Sequence, residues 1–220
     1  MTMESVTEIE GLVLDGVRIC LGDQMLVALD AQVRRGQILT VMGPSGSGKS
    51  TLLAYLGGFL DPAFSASGGV SVDGVDLTSL AAEKRHAGIL FQDPLLFPHL
   101  SVVDNIAIAI PEGIRGRKQR RQLAQAALED ADLADFGDRD PDTLSGGQKA
   151  RVALQRVLVS QPRILLLDEP FSKLDADLRE QTRQLVFDRA RRAGLPVVLV
   201  THDEDDARAA GGQLHKVGQP

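Results

Sequence analysis

The sequence predicts an α/β fold: a mainly parallel sheet flanked by helices, with an N-terminal antiparallel β subdomain and a helical insertion. Two observations predict it. Four short apolar runs, 38–42, 89–91, 164–167 and 197–200, are bounded by turn residues or charges, and three of them are rich in residues that suit strands buried on both faces. The segments between them are long enough for crossover helices, which parallel strands require. A chain of 220 residues, 43% of them hydrophobic, fits one domain, because that length buries roughly 70% of the surface its unfolded form exposes. We read 1–220 as a single domain with a helical subdomain inserted at about 99–143.

Each element has a local reason. The first 35 residues read as antiparallel strand material, as does 70–77 with its Asp73-Gly74 hairpin turn. A helix beginning near Ser50 should end at Gly57 and Gly58, which suit a helix C-terminus. Ser101 and Asp104 have capping-box spacing ahead of the apolar run 106–110, and spaced apolar residues over 119–133 predict a further helix. Another starts after Gly147, with Ala150, Ala153, Leu154, Val157 and Leu158 on one stripe, and stops before Pro162. The last spans 177–193 and ends at Gly194, before Pro196.

Charge and cysteine content exclude several classes. With 24 basic and 30 acidic side chains the net charge is −6, and no long basic tract is present, so we expect no nucleic-acid partner. The basic cluster Arg115, Arg117, Lys118, Arg120 and Arg121 reads as a solvated helix face. Cys20 is the single cysteine, so neither an internal disulfide nor a thiolate metal site is available. Residues 1–10 are polar and acidic, unlike a signal peptide, and no apolar run approaches the ~20 residues needed to cross a bilayer. A cytoplasmic protein is expected.

The residues just beyond each apolar run carry the chemistry. The first run leads into Gly43, Pro44, Ser45, Gly46, Ser47, Gly48, Lys49 and Ser50, then Thr51, fitting G-x-x-x-x-G-K-[ST] between a strand and a helix. Backbone N–H groups of such a loop cradle phosphate oxygens at a helix N-terminus. Lys49 should reach the β- and γ-phosphates, and the Ser50 hydroxyl should ligate Mg²⁺. The fold class is thus that of a P-loop NTPase. The third run ends in Asp168 and Glu169. A carboxylate at a buried strand end needs a cation or several hydrogen bonds, so Asp168 is the natural Mg²⁺ partner. Glu169 is placed to orient or deprotonate the attacking water. Gln92 comes after the second run and can bridge Mg²⁺ and water through its amide. His202 comes after the fourth and can donate to the γ-phosphate. In open α/β sheets ligands sit beyond the carboxyl ends of the strands, so all four runs deliver groups to one edge.

Leu144-Ser145-Gly146-Gly147-Gln148 forms a second anion-binding helix start. With it, the sequence resembles the ATP-binding cassette (ABC) family, the nucleotide-hydrolysing subunits of ABC transporters, from about Leu12 to His202. The matching features are the phosphate loop, Gln92, the signature 144–148, the Asp168-Glu169 strand, the turn 172–175 and His202. The resemblance implies a homodimer packed head to tail, with ATP between one chain's phosphate loop and the other's Ser145, Gly146, Gly147 and Gln148. It also implies that the turn ending at Asp175 touches the partner across the interface, that Glu169 is the catalytic base, and that His202 senses the γ-phosphate. The tract 91–102 resembles the glutamine loop of importer-type cassettes, and the chain as a whole resembles the YnjD-like group among them. In such proteins this region receives a membrane permease, which puts the docking face near Phe97. A periplasmic or extracellular substrate-binding protein and a place on the cytoplasmic face of the membrane are implied by the same resemblance.

Three departures stand out. The position where the family carries an adenine-stacking aromatic is Leu21 here, and Lys173 stands where the interface turn usually has a small residue. The chain ends soon after His202, so the C-terminal regulatory domain of some importer cassettes is expected to be absent. A soluble cassette ATPase driving a non-transport machine remains the alternative. Such proteins usually show two cassettes per chain, a long coiled-coil insertion or a basic surface, and none of these is visible in the sequence.

Overall fold

Residues 10–218 are described by the computed structural model. Strands β1 (Gly11–Leu21) and β2 (Gln24–Arg34) form a hairpin, followed by β3 (Ile38–Met42) and helix α1 (Lys49–Gly57). Next come β4 (Phe64–Val72), β5 (Val75–Asp76), α2 (Ala82–Arg85) and β6 (Ala87–Leu90). The helical segment holds α3 (Val102–Ala107), α4 (Arg117–Glu129) and α5 (Gly146–Val159). The chain closes with β7 (Ile164–Asp168), α6 (Ala176–Arg192), β8 (Val197–Thr201), α7 (Glu204–Ala210) and β9 (Gln213–Lys216).

These strands make two sheets, an antiparallel one in the order β2-β1-β4-β5 and a parallel one in the order β6-β7-β8-β3-β9. All four predicted apolar runs contribute strands to the parallel sheet, although Phe91 of the second falls just beyond β6 and is exposed. The sheet's central residues are buried on both faces because successive side chains alternate. Ile164 and Leu166 pack with α1 and the antiparallel sheet, whereas Leu165 and Leu167 pack with Phe171, Val186 and Phe187 on the other side. Both φ values at the Asp73-Gly74 turn are positive, 49° and 75°, as a two-residue hairpin turn demands. Strand β9 has no apolar run to announce it. It is a short edge strand with exposed ends, held by pairing with β3.

The insertion has its own small core of Val102, Val103, Ile106, Ala124, Leu128, Leu133 and Leu144. Ser101 caps α3 by accepting from the Asp104 N–H at 3.2 Å. The predicted continuous run through 106–110 breaks after Ala107, because Pro111, Gly113 and Gly116 intervene before α4. The basic cluster is solvated as expected at Arg115, Arg117 and Lys118 and departs from that face at Arg120 and Arg121. Arg120 turns inward and donates to the carbonyls of Ala107, Ile110, Pro111 and Ile114 at 2.6–3.2 Å, satisfying carbonyls at and beyond the end of α3. Arg121 pairs with Asp104 and Asp138.

A second arginine performs a similar task at the end of α1 away from the phosphate loop. Arg85 is 6% exposed and ends α2, and it carries no signal of its own in the sequence. Its guanidinium donates to Tyr55 O at 2.7 Å, Leu56 O at 3.2 Å, Leu80 O at 2.9 Å and Thr78 O at 3.1 Å. Two of those carbonyls belong to the last turn of α1, so the cation also meets the negative end of the helix dipole. Arg85→Ala is expected to destabilise the fold by about 3 kcal/mol, since buried carbonyls lose a charged donor. A fall in the urea midpoint at unchanged slope would verify this, and a wild-type midpoint would refute it.

Candidate functional site

Parallel strands bring their carboxyl ends to one edge, and β7, β8 and β3 are consecutive neighbours there. Asp168 is the last residue of β7, the phosphate loop leaves β3, and His202 comes directly after β8. Gln92 lies two residues beyond β6, the strand beside β7. The four predicted positions therefore share that edge.

The loop wraps tightly onto α1. Gly48 is its N-cap with φ 89°, and a Cβ there would meet Val27 Cγ2 at 2.9 Å and Leu26 Cβ at 3.0 Å. Glycine is thus required twice over, for the left-handed backbone and for the space. Lys49 is 6% exposed, and its ammonium donates to Gly43 O at 2.8 Å and Pro44 O at 2.9 Å. The cation is held against its own loop by two carbonyls, which a phosphate oxygen can replace. Ser45, Gly46, Gly48, Lys49, Ser50 and Thr51 line a cavity of about 440 Å³ together with Leu21, Gln24, Leu26, Phe64 and Glu169.

Ser50 donates its hydroxyl to Asp168 Oδ1 at 3.2 Å. Burial raises the Asp168 pKa first of all. The Ser50 hydrogen bond opposes this, the neighbouring Glu169 adds to it, and Lys49 lowers it. A half-buried carboxylate beside a hydroxyl is an oxygen donor pair short of positive charge, which suits a hard divalent cation. Among the described residues no group of three or more His, Cys, Asp or Glu could hold a metal. Mg²⁺ needs none, since it takes one or two protein oxygens and fills the remainder with phosphate and water.

Glu169 has a left-handed backbone, φ 45°, uncommon for a residue with a side chain. Three hydrogen bonds hold it there. Its N–H donates to Val200 O at 2.9 Å, and its carbonyl accepts from Ser172 N–H at 3.3 Å and Ser172 Oγ at 2.9 Å. Such over-determined strain clusters at functional positions. The carboxylate reaches His202, with Oε1 3.1 Å from Nδ1. His202 lines a second cavity, of about 300 Å³, with Met42, Gly43, Pro44, Lys216 and Val217. The loop is the wall between the two spaces.

The signature residues stand elsewhere. Ser145 caps α5, accepting from the Gln148 N–H at 3.3 Å, while Gln148 Oε1 accepts from the Ser145 N–H at 2.9 Å. This closed capping box commits the Gln148 carboxamide to the helix start. Gly147 is buried, and a Cβ there would lie 2.4 Å from Leu178 Cδ1, so glycine lets α5 press onto α6. Asp175 caps α6, accepting from the Leu178 N–H at 3.0 Å. Neither Asp175 nor any of Ser145 to Gln148 lines the phosphate cavity of the same chain.

Sequence reasoning missed the bracing behind His202. Arg179 donates to Leu174 O at 2.9 Å and to Asp203 Oδ2 at 3.2 Å, linking the turn before α6 to the residue after His202. Arg183 Nη2 lies 2.8 Å from Asp206 Oδ1, with side chains only 7% and 4% exposed. Thr201 donates to the other Asp206 oxygen at 2.9 Å. The only advance signal was helical spacing on α6. Burial is the leading influence on Asp206 and raises its pKa against the opposing pull of Thr201 and Arg183. A carboxyl whose folded pKa is raised loses stability as pH climbs from its unfolded value through its folded one. Removing Arg183 raises it further. Arg183→Leu should therefore cost about 3 kcal/mol at pH 7 and less at pH 5; denaturation at both values checks this, and an equal loss would contradict it.

The tract 91–102 divides in two. Leu96 packs against both helical cores, whereas Phe97, Leu95 and Ile108 are exposed by 41%, 57% and 58%. Buried Asn105 accepts from Phe97 N–H at 2.7 Å and donates to Phe97 O at 3.0 Å, and Arg156 donates to Leu95 O at 2.8 Å. The apolar face is held rigidly. Lys173 pairs with Asp93, joining the turn 172–175 to the segment that follows β6.

A glycine loop with a buried lysine, a hydroxyl–carboxylate pair and a strained acid beside a histidine define a nucleoside-triphosphatase site. The sequence pattern of the ABC transporter family matches residues 26–172. The ABC transporter ATP-binding protein YnjD of Escherichia coli is 46% identical over 191 residues, 87% of this chain and 88% of that one. The Fe(3+) ions import ATP-binding protein FbpC 1 of Haemophilus influenzae is 40% identical over 92% of this chain, which spans 61% of that protein's length. The thiamine import ATP-binding protein ThiQ of Vibrio vulnificus is 44% identical over 84% of this chain and 78% of its own. Among solved structures, the dimeric post-hydrolysis state of the ATP-binding cassette MJ0796, bound to ADP and Pi, superposes with TM-score 0.76 at 31% identity, covering 94% of both chains. The chain belongs to the ABC transporter family, as its ATP-binding, ATP-hydrolysing subunit.

Proposed function

We propose that two copies of this chain pack head to tail, bind ATP between them and power import through a separate membrane permease. One observation carries the composite site: within one chain the signature helix start is fully built and capped, yet it lies outside the phosphate cavity. A second copy can supply it. Dimeric cassette structures support this arrangement, and relatives named for Fe(3+) and thiamine import support the direction.

In this reading Gly43 to Thr51 cradle the phosphates, and Lys49 exchanges its two carbonyl partners for β- and γ-phosphate oxygens. Ser50, Asp168 and Gln92 hold Mg²⁺, which when bound offsets phosphate charge in the transition state. Glu169 accepts the proton of the attacking water. Its contact with His202 orients the imidazole as the sensor of the γ-phosphate. Ser145, Gly146 and Gly147 of the second copy add a hydroxyl and N–H dipoles where charge develops. Gln148 locks that helix start, and Asp175 fixes the turn that meets the partner. Little covalent work is required, since phosphoryl transfer is governed by positioning and charge.

No helix among the described residues is long and apolar enough to cross a membrane; in this reading separate permease subunits supply the translocation path. The rigid apolar face at Phe97, beside a cavity of about 550 Å³ lined also by Leu95, Ile108 and Arg156, is where the permease docks at the cytoplasmic membrane surface. An extracytoplasmic substrate-binding protein completes the importer. The test is recovery of tagged Glu169→Gln protein from detergent-solubilised native membranes with MgATP. Co-purification of a polytopic membrane protein, lost with Phe97→Asp, is expected. Soluble partners alone would shift the reading to a non-transport machine.

A further inference from the structure

The phosphate cavity has two kinds of wall. The loop and α1 supply polar groups, and the antiparallel subdomain supplies Leu21, Gln24, Leu26 and Phe64. We propose that Phe64 is the base-stacking residue of this site, with the adenine of ATP lying on its ring and Leu21 and Leu26 beside it. The inference rests on the phosphate-loop reading and names a residue that the reading lacked.

Four observations support it. Strand register pairs Leu21 with Phe64 across β1 and β4, so both side chains share one face of the sheet. The chain has seven Phe, one Tyr and no Trp, and among the described residues Phe64 is the one aromatic side chain lining this cavity. Its backbone is fixed where β4 begins. Phe64 N–H donates to Asp61 O at 3.0 Å, and Ala63 N–H donates to Asp61 Oδ1 at 2.8 Å, closing a turn that presents the ring. Finally, Leu21 is 46% exposed on a hairpin tip, an apolar surface that a base would cover.

The chemistry suits a purine. Its faces are flat and its edge is polar, and an aromatic ring adds quadrupolar matching to the area that a leucine alone provides. Gln24 is the carboxamide on this side of the cavity. A carboxamide carries both a donor and an acceptor and can flip, so it can meet the edge of adenine or of guanine. Affinity should therefore depend strongly on stacking and weakly on which purine is offered, with ATP and GTP differing less than about tenfold.

A tryptophan-free chain makes the test direct. In Phe64→Trp, the introduced indole is the only one present, and MgATP should quench its fluorescence, whereas inorganic tripolyphosphate should bind without quenching. Phe64→Leu, which keeps apolar volume, should raise the dissociation constant for MgATP about tenfold and leave that for tripolyphosphate unchanged. Unchanged tripolyphosphate binding also verifies that the variant is folded. Wild-type affinity for MgATP in Phe64→Leu, or an indole blind to MgATP that binds, would overturn the assignment. Failure of the unsubstituted chain to bind either ligand would instead overturn the phosphate-loop reading.

Discussion

Glu169→Gln is expected to slow MgATP hydrolysis by about a hundredfold to ten-thousandfold while leaving ATP binding intact. The amide keeps the size and hydrogen-bonding reach of the carboxylate but cannot accept a proton from water. Its backbone is pinned by Val200 and Ser172, so the substitution should not disturb the loop or Asp168. ATP then persists between the two copies, and a stable ATP-dependent dimer should appear on size-exclusion chromatography. Phosphate release at the wild-type rate would remove Glu169 from the chemistry.

Lys49→Ala is expected to weaken ATP binding by about a hundredfold or more and to abolish the ATP-dependent dimer. Lys49 is 6% exposed, and its ammonium has two loop carbonyls as its partners. Without it, those carbonyls face the incoming phosphates with no positive charge between. The helix N-terminus and loop N–H groups remain, worth far less against a triphosphate. Equilibrium titration with a fluorescent ATP analogue measures this, and an unchanged dissociation constant would discredit the phosphate-loop reading. The contrast between the two variants is informative: one separates chemistry from binding, the other removes binding itself.

Much of the parallel sheet was legible because its strands are continuous apolar runs, and the phosphate loop because glycines and a lysine at fixed spacing have few other uses. Glu169 and His202 were legible as residues at the ends of buried strands. Their 3.1 Å contact and the left-handed backbone of Glu169 were not, since both depend on how β7 lies beside β8. Arg120 reads in sequence as part of a solvated face, and Arg85 and Arg183 carry no signal of their own. Each is buried or half-buried by carbonyls or a carboxylate that tertiary packing brings to it, some of them remote in sequence. Phe64 was silent for the same reason, its significance arising only when β4 pairs with β1 and brings it opposite Leu21. Strand β9, polar and short, carried no periodic signal.

In the proposed head-to-tail pair the second copy supplies the missing half of the site, and this leaves a kinetic mark. A site assembled from two chains hydrolyses ATP at a rate per chain that depends on how many chains are paired. The decisive measurement is phosphate release from MgATP across a wide range of protein concentration. Specific activity should rise with concentration and then level off, and disruption of the capped helix start by Ser145→Arg should abolish it without loss of ATP binding. A specific activity that stays constant on dilution, or one that survives Ser145→Arg, would contradict hydrolysis between two copies.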